Sequence, residues 1–215
     1  MFSLEFYCLP PAIAHLTCLQ NLRELTLTQM KSLRNLPERL GELKNLRTLN
    51  LNYSLNKGAY VYKEGLTDSL RPLPSVLSDL VQLEELRLKA CGVISSNELR
   101  PLVQLKSLDL EYSGIETCED IAQMLLLEDL NLNACRRIRD FSPLRSLKRL
   151  SRLNMSHTFP DSISFLVELN NLKNLDITEA ICSDLDSIVN LQNIEELKAD
   201  SKIEKKWMAQ QSKTK

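Results

Sequence analysis

Leucine recurs along this chain at fixed offsets. In Leu127-Glu128-Asp129-Leu130-Asn131-Leu132-Asn133-Ala134-Cys135, leucines hold places one, four and six, and a small hydrogen-bonding residue holds place nine. The same pattern runs from Leu83 to Cys91, from Leu105 to Ser113 and, with Ile177 at place six, from Leu172 to Ala180. Around the leucines apolar and polar places alternate, and a period of two predicts a short strand with one buried face. The predicted strands begin their units at Leu22, Leu46, Leu83, Leu105, Leu127, Leu150, Leu172 and Ile194. An opening fragment, Leu4-Glu5-Phe6, reads as one further partial strand.

Between strands the apolar spacing changes to three and four. Leu36-Pro37-Glu38-Arg39-Leu40-Gly41-Glu42-Leu43 recurs as Leu73-Pro74-Ser75-Val76-Leu77-Ser78-Asp79-Leu80. That spacing predicts short helical or 3₁₀ returns, with proline tolerated where the turn begins. One unit cannot shield its own leucines from water. Stacked units can share a continuous core with their strands parallel.

A step of 22 to 24 residues with Leu-x-x-Leu-x-Leu resembles the leucine-rich repeat family, over roughly residues 1–200. The early Leu-Pro units and the later 22-residue units resemble two of its classes. The resemblance implies an α/β leucine-rich repeat solenoid: a curved right-handed superhelix with a parallel concave sheet and short convex returns. It implies a non-enzymatic protein-protein interaction module, and says little about the partner. The Leu-Pro returns resemble those of plant intracellular immune receptors and of bacterial effectors alike. At place nine the family carries asparagine. Here the place holds Met30, Ser54, Cys91, Ser113, Cys135, Thr158 and Ala180. Hydroxyls and thiols can still donate, but Met30 and Ala180 cannot, so irregularity is expected in the first and seventh units.

One step is 37 residues long, which marks an insertion of about 15 residues near 54–71. Its 56–68 stretch carries Tyr60 and Tyr62 between glycines, candidate binding residues in a long loop. The chain opens almost inside a repeat, which implies a weak cap or a piece of a longer protein. At the other end, residues 201–215 read as a short cap helix and a frayed polar tail. Ile203 and Trp207 share one face of that helix, laid over the last leucines.

Alternation also names the side chains that leave the sheet. They include nine acids and four bases. The candidate partner-binding centre is Asp109, Glu111, Tyr112, Asp129, Asn131 and Arg87, with Tyr53 at its flank, and Asp109, Glu111 and Asp129 are expected to be neighbours. Such a face suits a basic or polar protein segment. A basic run from Arg136 to Arg152 is the alternative, a surface for nucleic acid or membrane, although aromatics are not interleaved with it. A third reading is a scaffold or regulatory subunit whose exposed terminal leucines stack between chains.

Composition narrows the picture. The net charge of -1 exerts no overall pull on polyanions. No apolar run approaches the ~20 residues that cross a bilayer. The first residues lack a basic segment and carry Glu5, a poor secretory signal. Of six cysteines, Cys91 and Cys135 sit two units apart, roughly 10 Å between Cα atoms, too far for a disulfide. Reduced thiols and a cytoplasmic setting follow as expectations. The two histidines, His15 and His157, form no catalytic group: Ser156 and His157 are neighbours on one strand and face opposite ways. No phosphate-cradling glycine loop and no metal-ligand spacing is present, so no cofactor, metal or small-molecule substrate is expected.

Overall fold

The computed structural model describes residues 19–30, 36–55, 72–93 and 95–214, and the backbone of 3–6. Tyr60, Tyr62 and the rest of the 56–68 loop lie outside the described residues, as do Cys8, Cys18 and His15.

Among the described residues, nine strands form one parallel sheet in chain order: β1 (Ser3–Phe6), β2 (Glu24–Leu27), β3 (Thr48–Asn50), β4 (Glu85–Arg87), β5 (Ser107–Asp109), β6 (Asp129–Asn131), β7 (Arg152–Asn154), β8 (Asn174–Asp176) and β9 (Glu196–Lys198). The place-four leucines run in one register, Leu25, Leu49, Leu86, Leu108, Leu130, Leu153, Leu175 and Leu197, each the Cα partner of the next. The opening fragment is a full strand, with Leu4 paired to Leu25. Places one, four and six point inward. Leu127, Leu130 and Leu132 are fully buried, and their equivalents nearly so. The core is one continuous cluster along the stack, because each repeat supplies half of its neighbour's apolar wall.

The described returns between strands are 3₁₀ turns, among them Glu38–Glu42, Ser75–Asp79, Ser142–Ser146 and Ser164–Glu168. Pro37 and Pro74 stand just before the first two, where a missing N–H costs nothing. The returns bury Leu40, Leu77, Leu144 and Leu166 beneath the sheet, and Phe141 stacks on Phe165 with ring centroids 6.5 Å apart.

Two expectations need correction. The sheet passes Met30 and Ala180 without a break. Both are buried, and β2 and β8 pair in full on both sides. Place nine is a core position as well as a donor position, so an apolar residue there still packs. The terminal helix α1 runs through Ser201–Thr214, longer than a short cap with a frayed tail. Its length comes from tertiary support. Ile203 and Trp207 pack on the core, Lys206 pairs with Asp186 at 2.7 Å, and Gln211 Nε2 donates to the Leu191 carbonyl at 3.3 Å.

Candidate functional site

The candidate site is the polar face of the sheet, built from places three, five and seven of each repeat. Place five carries Asn50, Asp109, Asn131, Asn154 and Asp176. In all five the side-chain oxygen accepts the backbone N–H of place seven at 3.0 Å: Asn52, Glu111, Asn133, Ser156 and Thr178. These are Asx turns that end β3, β5, β6, β7 and β8. Place eight then enters the left-handed region, with positive φ at Gln29, Tyr53, Ala90, Tyr112, Ala134, His157 and Glu179. Asp109 and Asn131, expected to serve a partner, therefore also serve their own backbone. Burial pushes the Asp109 carboxyl up from its usual value, and the Glu111 N–H that it accepts pulls against this.

Glu111 is the hub of the middle of the face. It takes Lys89 Nζ at 2.9 Å, Asn133 Nδ2 at 3.1 Å and Asn131 Nδ2 at 3.3 Å. Partial burial opposes the Lys89 charge. The bond to Glu111 and its Coulomb attraction outweigh that and raise the ammonium above its ordinary value. Lys89 also lies over the Tyr53 ring, 5.8 Å from its centroid.

Asp129 is not the immediate neighbour of Asp109. It sits at place three, its Cα paired to Ser107 and Arg152, while Asp109 pairs with Arg87 and Asn131. Asp129 instead binds the Arg152 guanidinium at 2.8 Å. Arg87 turns along its own strand to Glu85. All four outward bases are matched to outward acids, since Lys198 lies 3.5 Å from Glu196. The acid excess read from the outward places is in this way partly neutralised within the face.

Tyr53, Tyr112, His157 and Glu179 leave the strand alternation because of their left-handed backbone. Ser156 is buried, with its Oγ 2.7 Å from Asn154 Oδ1, and His157 Nδ1 lies 3.1 Å from Glu179. The two do not pair. The basic run 136–152 is spread over several surfaces. Arg137 pairs with Glu116, Arg139 lies over the Phe159 ring, Lys148 pairs with Glu168, and Arg152 belongs to the sheet face.

Two ladders tie neighbouring repeats together. At place nine, Ser54 Oγ, Cys91 Sγ and Cys135 Sγ donate to the place-six carbonyls of the preceding repeat: Leu27 at 2.6 Å, Leu51 at 2.9 Å and Leu110 at 3.2 Å. The second ladder, which sequence reasoning missed, uses the amide before place one. Asn45, Asn171 and Asn193 donate to the Gln20, Lys148 and Asn170 carbonyls. The signal was present, because Asn precedes the place-one residue in these units.

One hollow on this face has a volume of about 280 Å³ and lies over β6 to β9. Its walls are the place-three and place-five side chains Asp129, Asn131, Arg152, Asn154, Asp176 and Lys198, with Asn174 and Glu196 joined at 2.8 Å. Of the expected centre it includes Asp129 and Asn131 and leaves out Arg87, Asp109, Glu111 and Tyr112.

Parallel strands, 3₁₀ returns and a shared leucine core define the fold as a leucine-rich repeat solenoid. Among solved structures the chain is similar to internalin C2 of Listeria monocytogenes, with 22% identity and a TM-score of 0.66, over 92% of this chain and 78% of that one. It is also similar to the internalin InlF of the same organism, with 24% identity and a TM-score of 0.62, over 89% of this chain and 66% of that one. The chain thus spans just under two thirds of the second structure. At this identity the likeness establishes the fold. No family model and no curated protein matches the sequence.

Proposed function

We propose that this solenoid is a non-enzymatic protein-recognition module that takes a protein partner on its concave face. The observation that supports this best is the hollow over β6 to β9. It is open, and its lining side chains, polar or charged apart from Leu153 and Leu175, come from four consecutive strands held by cross-strand bonds such as Arg152 to Asp129 and Asn174 to Glu196. A shallow surface with preset donors and acceptors suits an extended protein segment better than a small molecule, which needs a deep and largely apolar pocket. Asp129, Asn131, Arg152 and Asp176 form the centre of this reading, which moves it toward the C-terminal half of the sheet. The internalin likeness supports the same class of work by analogy of fold.

The test is affinity capture with the wild-type chain and with an Arg152→Glu/Asp176→Lys variant, read by quantitative mass spectrometry. Partners that the wild type captures and the folded variant loses support the concave face. An identical set from both removes the hollow from consideration.

A further inference from the structure

The returns enter their strands through tight turns, in which the place-one N–H donates to the carbonyl three residues earlier. Leu83 bonds Leu80 at 3.0 Å, Leu105 bonds Leu102 at 3.1 Å and Leu127 bonds Met124 at 2.9 Å. The two residues before place one form the corner of each turn, on the rim at the amino ends of the strands. Polar residues suit such corners, and they fill Lys44-Asn45, Lys148-Arg149 and Asn170-Asn171. Three consecutive units depart from that. Val81, Val103 and Leu125 hold the first corner place and are 49%, 44% and 58% exposed. Leu126, beside Leu125, is half-buried. Strands β4, β5 and β6 pair in one register, so the three side chains stand in a row at steps of ~4.8 Å. The fold does not require them, because the polar corners close the same turn: Leu46 bonds Leu43 and Leu172 bonds Leu169, both at 3.0 Å. A single exposed apolar side chain is ordinary, but a contiguous row marks a contact surface.

The amide ladder lapses along the same stretch. Its acceptors are first-corner carbonyls, those of Gln20, Lys148 and Asn170. Gln104, Leu126 and Arg149 make no such bond, and the Val81, Val103 and Leu125 carbonyls accept no hydrogen bond from any described residue. The row thus sets open acceptors beside apolar side chains. A lipid surface would bury those carbonyls unpaired, whereas a protein segment brings donors to them.

Charge and spacing narrow the occupant. From Lys44-Asn45 to Lys148-Arg149 the corners carry three bases and no acid, and the adjoining place-two residues Arg47, Glu84, Lys106 and Glu128 sum to zero. Lys148 meets Glu168 at 3.4 Å. Lys44 Nζ reaches only the Gly41 carbonyl, at 2.7 Å, and Arg149 has no ion pair among the described residues. An apolar centre is therefore bracketed by two unmatched bases. A second copy laid antiparallel on the row would set Lys44 against Arg149 and be repelled. A segment that is apolar in its middle and acidic at both ends is complementary. An α-helix repeats every ~5.4 Å, close to the ~4.8 Å step, while an extended strand repeats every ~6.8 Å.

We propose that the Val81–Val103–Leu125 rim docks an amphipathic α-helix of a partner protein. Apolar side chains from successive turns lie on the row, and acids at the two ends meet Lys44 and Arg149. Those bases stand four strands apart, ~19 Å, which a helix spans in ~13 residues. The rim shares no residue with the hollow, so either reading can fail alone.

The experiment titrates the full chain into a fluorescein-labelled helical peptide and reads anisotropy. The peptide is built of alanine and glutamine, with leucines at successive turns of one face and a glutamate one turn beyond each end. Saturable binding is expected, and the same peptide with lysines in place of the glutamates should bind more weakly. Val103→Asn and Leu125→Asn should each weaken binding about tenfold. Asparagine holds this corner at Asn170, so the turn tolerates it. Lys44→Glu should weaken binding about threefold, an effect that high salt removes. Val167→Asn, at an apolar residue 60% exposed but off the row, should change nothing. Circular dichroism verifies that each variant is folded. No saturation of the wild type at millimolar concentration overturns the proposal, and so does wild-type affinity in both folded Val103→Asn and Leu125→Asn. Co-sedimentation with phosphatidylserine vesicles, or dimer formation, that is lost in Leu125→Asn would also overturn it, by giving the row to a membrane or to a second copy.

Discussion

Ser54 Oγ donates to the Leu27 carbonyl at 2.6 Å and accepts the Met30 N–H at 3.0 Å, so one buried hydroxyl closes the ends of two neighbouring strands. Both backbone groups belong to the first unit, where place nine holds Met30 and supplies no donor of its own. Ser54→Ala leaves a buried carbonyl and a buried N–H without this partner and should cost about 2 to 3 kcal/mol. Ser54→Cys should cost less, because thiols fill the equivalent place at Cys91 and Cys135. Urea unfolding of the two variants checks the order. Equal losses would mean that the hydroxyl only fills space.

Asp109→Asn should leave stability within about 0.5 kcal/mol of wild type, since asparagine makes the same Asx turn at Asn131 and Asn154. Asp109→Ala removes the acceptor of the Glu111 N–H and should cost about 1 kcal/mol. Thermal unfolding distinguishes them. A large loss in Asp109→Asn would show that the charge, and not the turn, is what matters there.

Trp207→Ala should lower stability by about 2 kcal/mol, because the ring packs on the core from α1 and its removal uncovers the last repeat. The Trp207 indole N–H is buried without a hydrogen-bond partner. Trp207→Phe gives up that unpaired donor along with some contact area, and should come within about 1 kcal/mol of wild type. Hydrogen exchange at Leu191 and Leu197 reports the opening of this end. Unchanged exchange in Trp207→Ala would mean that the helix does not cap the stack.

Burial pushes the Cys91 and Cys135 thiols up to about 12 from an ordinary 9.0, and raises Cys118 in the same direction. The unfolded chain releases these protons near pH 9 while the fold still holds them. Stability from this source is complete below pH 9 and is lost as pH rises from 9 toward 12. Urea midpoints should fall across that window, and less steeply in Cys135→Ser, a residue that place nine already carries at Ser54 and Ser113. An identical slope in the variant would remove the thiol as the cause. At pH 8, iodoacetamide should modify partly exposed Cys182 before the three buried thiols.

The architecture was legible because its cause is local and repeated. Leu83, Leu105 and Leu127 open units with the same text, and an apolar spine that one unit cannot cover leaves stacking as the outcome. The chemistry of the polar face was less legible. Alternation placed Asp109, Asn131 and Asp129 on that face, which they share. It could not tell that Asp109 and Asn131 would turn their oxygens onto Glu111 and Asn133, or that Asp129 would be taken by Arg152.

By itself, the sequence determined the repeat, its register, the buried leucines and the outward residues at places three and five, because a period of two or of 22 residues needs no distant partner to be read. Only the tertiary structure decided which polar groups satisfy one another across strands, that place eight turns left-handed, and that α1 extends to Thr214. Those outcomes depend on atoms that are 20 or more residues apart in the chain and one strand apart in space. Hydrogen bonds and backbone angles of that kind are chosen by the neighbouring repeat and leave little trace in local spacing.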